Sequence, residues 1–83
     1  MRIYTIFDKV AEECGPLFQA KHDGIAARQF SNLLKTDASV NKEDYTLYCL
    51  GGFDSDHMLI SPLEKPRAVS LNLSEEIRGG ETV

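Results

Sequence analysis

Two histidines, His22 and His57, and two cysteines, Cys14 and Cys49, are the side chains here best suited to hold a metal or attack a substrate. Their spacing serves neither purpose. Zinc needs Cys and His in short paired spacing, and Cys14 and Cys49 form no such pair. Asp54-Ser55-Asp56-His57 looks like the start of a calcium loop, but the longer run of oxygen ligands and the closing glutamate are absent. Its plain reading is a hairpin turn, where aspartates bond to their own backbone. Cys14 follows Glu12-Glu13, and two adjacent negative charges are a poor setting for a nucleophilic thiolate. Glu43-Asp44 reads as the solvated start of a strand. Gly51-Gly52 suits a bulge or bend better than a ligand loop. No Ser/His/Asp wording, phosphate-binding glycine loop or dinucleotide fingerprint occurs. The sequence therefore points away from an enzyme and implies no cofactor and no metal.

One chemistry remains. Single-stranded nucleic acid is held by basic side chains beside aromatic rings on which bases stack. The candidates are Arg2, Tyr4, Tyr48 and Arg67, with Lys21 and Lys65. Strand alternation is expected to put Arg2, Tyr4 and Tyr48 on the sheet face away from the core. A plainer reading packs Tyr4 and Tyr48 in a dimer interface and leaves the arginines as surface charges.

The elements that must position these residues follow from periodicity. Arg2–Asp8 alternates as a strand, with Ile3, Thr5 and Phe7 on one face and Arg2, Tyr4, Ile6 and Asp8 on the other. Lys9–Pro16 is a polar connection, and Leu17–Lys21 a short second strand. Asp23 is placed to cap a helix running to about Lys35, with Ala26, Phe30, Leu33 and Leu34 on one stripe. After the polar loop Thr36–Lys42, Asp44–Phe53 forms the central strand. Asp54–Asp56 turns the chain into a return strand, His57–Ser61, which Pro62 ends. A turn at Glu64–Pro66 leads to a last strand, Arg67–Leu73.

This predicts an α+β fold: a small antiparallel β-sheet of order β-β-α-β-β-β, packed by one helix. Residues 1–74 make a single domain, and 75–83 a polar C-terminal tail expected to fray. The central strand is apolar on both faces, with Tyr45, Leu47, Cys49 and Phe53 opposite Tyr48 and Leu50. One helix covers one face, so a homodimer is expected to cover the other, the alternatives being a partner or a ligand.

The chain has 83 residues, a length at which single domains bury only about 60–65% of their unfolded surface. Net charge is −4 and pI about 5.0, which argues against a general nucleic-acid coat but leaves 9 Lys and Arg for a local patch. The longest apolar runs are too short to span a membrane, and Met1–Thr5 lacks the wording of a signal peptide. Two cysteines outside any disulfide framework suit free thiols in a reducing cytoplasm.

Several stretches together carry a family resemblance. They are Ile3–Asp8, Pro16-Leu17-Phe18 with Lys21 and Asp23, then Ala26, Arg28 and Phe30, and most specifically Glu43-Asp44-Tyr45, Leu47-Tyr48, Gly51 and Phe53-Asp54. Over residues 2 to 73 the chain resembles the small nonstructural protein of gokushovirus-type microviruses, the ORF5-like or nonstructural protein C family. The turn at Asp54–Asp56 looks short for that pattern, and the glycine-containing tail looks individual. The resemblance implies a phage replication accessory in the host cytoplasm. It would bind single-stranded DNA and promote the switch from duplex replication to single-strand genome synthesis and packaging. It implies no catalytic residues. The alternative is a protein-interaction module that modulates phage or host replication proteins without binding DNA.

Overall fold

The computed structural model describes residues 1–36 and 41–70. Three of the other strands assemble directly on β1 (Arg2–Asp8), the first run of alternation. One edge of β1 takes two short antiparallel strands in succession, β2 (Glu13–Cys14) and β3 (Phe18–Ala20). Between them the Gly15 amide still donates to the Ile6 carbonyl at 2.9 Å, and Pro16-Leu17 leaves the ladder. The Thr5 hydroxyl fills that gap, donating to the Gly15 carbonyl at 3.0 Å. The other edge of β1 pairs with β4 (Tyr45–Asp54), which pairs in turn with β5 (Leu59–Ala68). The sheet is antiparallel throughout, in the order β2-β1-β4-β5 with β3 beside β2 on β1.

Because β3 and β4 both run against β1, they run parallel to one another. The chain must therefore cross β1 between them, and α1 (Asp23–Lys35) makes that crossing. Its buried face is Ala26, Ala27 and Phe30. These meet Tyr4, Ala20, Leu47, Cys49 and Val69 from the sheet, with Ile6, Phe18, Ile25, Leu34 and Tyr45 packed around them. Two alanines let the helix backbone approach closely, and Phe30, Tyr4 and Leu47 fill the middle. Fully burying a side chain of that size contributes about 1.5–3 kcal/mol.

Two hairpin loops repeat one device. Asp8 ends β1 and its Oδ1 accepts from the Val10 and Ala11 amides at 3.0 and 3.1 Å. Asp54 ends β4 and its Oδ1 accepts from the Asp56 amide at 3.0 Å. Each loop then closes on a residue in the left-handed region, Glu12 at φ 59° and Met58 at φ 58°. An aspartate that bonds its own backbone makes the turn tight enough to return the chain.

The fold is α+β, one helix on a small antiparallel sheet, but the order is β-β-β-α-β-β rather than β-β-α-β-β-β. The extra strand is β2, inside the stretch expected to be a plain connection. The two strands expected after the Asp54 turn are one. Leu63–Pro66 bulges out opposite the single residue Leu50, and pairing resumes at Arg67 opposite Cys49. Leu71, Leu73 and the tail from 75 lie outside the described residues, as do 37–40 of the polar loop.

The faces also differ from simple alternation. Tyr4 and Ile6 lie on the helix side with Leu47 and Cys49, because Tyr4 stands opposite Cys49 and Ile6 opposite Leu47. Beyond that point Ile3 stands opposite Gly51, so Leu50 is an extra residue. The bulge reverses the parity of β4, and Phe53 lines a hollow on the helix-free face with Ile3 and Ile60 instead of joining Leu47. Leu33, expected in the helix stripe, is 55% exposed.

Gly51 is what the bulge requires. Its φ is +157°, and a Cβ there would collide with the Ser61 carbonyl oxygen and sit 2.8 Å from Pro62 Cα. At the neighbouring Gly52 a Cβ would meet only the Met1 carbonyl, at an ordinary contact distance of 3.8 Å. Gly51→Ala is therefore expected to lower unfolding stability by about 2–3 kcal/mol in urea titrations, and Gly52→Ala by less than about 1 kcal/mol. Equal losses would mean that backbone approach at Gly51 does not limit the fold.

Candidate nucleic-acid interface

Asp23 opens α1 but does not cap it. The N-cap is His22, and no side chain caps the helix there. The Asp23 carboxylate instead reaches the sheet. Its Oδ1 accepts from Arg2 Nη1 at 3.0 Å and from the Tyr4 hydroxyl at 2.7 Å. Arg67 grips both oxygens, Nη1 to Oδ2 at 2.8 Å and Nη2 to Oδ1 at 3.1 Å. A planar guanidinium and a planar carboxylate match in this way, and the charge strengthens each bond. The negative charge also stands in the first turn of the helix, where the macrodipole favours it.

These partners shift one another. Hydrogen bonds from Arg67, and less strongly from Tyr4 and Arg2, hold the Asp23 carboxyl far below the usual carboxylate range against the opposing effect of burial. The Tyr4 phenol is pushed up to about 12, first by desolvation and then by its bond to Asp23. Asp23 also raises the Arg67 guanidinium above its already high value.

Three of the six candidate residues, Arg2, Tyr4 and Arg67, thus converge on one carboxylate on the helix side. Tyr4 has no exposed surface, so it offers no ring face to a base. It does not share an open face with Tyr48, as alternation had suggested. Arg2 and Arg67 keep their outer ends half exposed, at 48% and 45%.

Tyr48 and Lys65 come together on the other side. With Thr5, Phe7, Leu50 and Pro66 they line a groove of about 470 Å³ across the helix-free face. Its floor holds an aromatic pair: the Phe7 and Tyr48 rings meet edge to face, 6.5 Å apart at 74°. Lys65 and Pro66 belong to the bulge of β5 and form one wall, and Cys14 of β2 lies at the other. Lys21 is exposed between β3 and α1 and lines neither site. Both cysteines are free, Cys14 exposed and Cys49 buried.

The sequence reading passed over Phe7 as a site residue, although its place on one face with Ile3 and Thr5 was visible. It also passed over Asp23 as a hub, since an acid before a helical stripe reads as a cap. A larger hollow of about 730 Å³ lies beside the second half of α1, among Ile6, Phe18, Leu33, Leu34 and Tyr45. Asp8 and Glu13 on its rim repel a phosphate backbone, so it is the poorer nucleic-acid site. Among the described residues, no group of three His, Cys, Asp or Glu side chains is placed to hold a metal ion. No helix among them is long and apolar enough to cross a membrane.

A family model described as Phage ORF5 protein matches residues 1–75. No curated protein and no solved structure matches the chain.

The Asp23 cluster yields a pH-dependent stability. Its folded-state carboxyl titrates below the unfolded value of about 3.9, so it stabilises the protein above that pH and fades as pH falls below it. With Asp23 19% exposed and both arginines half exposed, Asp23→Asn should cost about 2 kcal/mol at neutral pH, below the range for a fully buried pair. Urea titrations of both proteins at falling pH should converge as the wild-type carboxylate takes up its proton. A gap that persists in acid would assign the loss to packing instead of charge.

Proposed function

Because the chain belongs to the phage ORF5 protein family, we propose that it is a nonstructural accessory of phage replication that holds single-stranded DNA across the helix-free sheet face. In this reading it acts in the host cytoplasm, by stoichiometric contact and without chemistry. By sequestering single strands it favours the switch from duplex replication to single-strand genome synthesis and packaging. The observation that carries the reading is the Phe7–Tyr48 pair on an open sheet face with Lys65 beside it. Both rings are half-buried; the ring surface left open can stack a base, and a cation beside it meets the phosphate that follows.

The acidic balance of the chain is compatible with this because stacking is insensitive to net charge. It does limit the electrostatic share. Among the described residues Lys65 is the one cation on the groove lining, and Arg2 and Arg67 are engaged by Asp23. Each phosphate neutralised on a single strand contributes about −0.7 to the slope of log affinity against log salt. A slope of about −0.7 is therefore expected from that one contact, far shallower than for a basic coat protein.

A second reading draws on the far end of the helix-free face, where Ile60, 63% exposed, forms an apolar strip with Ile3 and Phe53. An apolar strip of that kind suits a second copy of the chain or a phage or host replication protein. On that reading the protein modulates the replication machinery without touching DNA.

Fluorescence anisotropy of a labelled oligonucleotide at about 50 and 200 mM salt separates the two. Tyr48→Ala should weaken binding by about tenfold, Lys65→Ala less, and Tyr48→Phe little. Bound strand should shield Cys14 from alkylation while Cys49 stays inert in both states. Oligonucleotide binding that is unchanged in folded Tyr48→Ala would move the site elsewhere. No binding at all, with a dimer in light scattering, would favour the protein-contact reading.

A further inference from the structure

The groove is nearly empty of groups that read a base. Reading the edge of an unpaired base takes donors and acceptors aimed at its Watson–Crick or Hoogsteen side. Side-chain amides and carboxylates usually supply them, and among the described residues the groove lining contains none. Thr5 is 2% exposed and its hydroxyl already donates to Gly15. Phe7, Leu50 and Pro66 are apolar, and the Cys14 thiol is a weak partner. Lys65 sits on the β5 bulge, on a long flexible stem suited to a phosphate. The Tyr48 hydroxyl alone offers a polar tip on the floor.

Resting on the strand-binding reading above, we infer that this groove takes single-stranded DNA without regard to sequence and rejects duplex. Every base has a π-face, so the Phe7–Tyr48 floor treats them alike except in stacking strength. In a duplex those faces are already stacked and cannot reach the floor. The edges a duplex does present meet apolar side chains and a buried hydroxyl. Pro62 and Pro66 reinforce this choice of surface. Each lacks a backbone N–H, and the bulge between them interrupts the outer edge of β5, so an extended partner adds poorly as another strand there.

The test is competition anisotropy on the full chain. A labelled oligothymidylate of about 16 nucleotides is displaced by unlabelled oligo-dT, oligo-dA or oligo-dC of that length, and by a blunt duplex. The three single strands should compete within about fivefold of one another, and the duplex at least about tenfold more weakly. A spread beyond about thirtyfold among the homopolymers would overturn sequence independence, because single stacking differences do not reach it. A duplex that competes as well as the strands would overturn the rejection of paired bases. Absence of any binding to the labelled strand would remove the strand-binding reading itself, and this inference with it. Tyr48→Leu keeps the bulk but not the aromatic face. It should weaken all three homopolymers together, whereas loss for one base alone would mean that Tyr48 reads an edge.

Discussion

The Asp23 carboxylate joins segments that the chain keeps far apart. Arg2 and Tyr4 come from the first strand, Asp23 from the helix, and Arg67 from the end of the last described strand. Apart from this knot the helix rests on the sheet through two alanines, a phenylalanine and their neighbours. Apolar contact of that kind is non-directional and leaves helix rotation poorly specified. A carboxylate satisfied by two guanidinium groups and a phenol is directional, and removing any partner leaves a half-buried charge short of hydrogen bonds. It fixes the start of α1 against β1 and β5 together. It ties the helix that makes the crossover to the strands on either side of β4.

A second constraint is the bulge around Gly51. Period-two alternation holds along β4 as far as Cys49 and then changes sign, because Leu50 is extra relative to β1. The consequence reaches the proposed site. Phe53 joins Ile3 and Ile60 on the helix-free side, so that side gains apolar surface at one end and the Phe7–Tyr48 groove at the other. The same irregularity faces the expanded segment Leu63–Pro66, which brings Lys65 to the groove wall. A glycine that admits a close backbone approach thus shapes a face it does not itself cover.

Much of this was legible in the sequence and some was not. The helix, the first and central strands and the Asp54 turn follow from periodicity and turn residues, which act over a few neighbours. β2 was hidden because two residues carry no period, and its pairing depends on the Asp8 turn that precedes it. The continuity of β5 was hidden by Pro62 and Pro66, which read as breaks but occupy a bulged edge where a missing N–H costs little. The face of Tyr4 was misread because a tyrosine alternating with isoleucines fits either side equally well. What places it inside is a hydrogen bond to Asp23, and that pairing across the fold leaves no mark in local spacing.

The same point governs how the acidic composition bears on DNA. A count of basic residues treats Arg2 and Arg67 as available, but the fold binds both to Asp23. Lysine and arginine totals therefore overstate what this surface can offer to phosphate. They say nothing about the aromatic floor, which the sheet creates by setting Phe7 diagonally beside Tyr48 across neighbouring strands. A chain with net charge −4 that meets single strands must do so mainly through base stacking, since long-range attraction works against it. Such contact is slow to form compared with electrostatically steered capture. It is also tolerant of salt and of sequence. On the proposed reading, those properties would suit a protein that meets single strands as they are produced and releases them to other machinery without reading them.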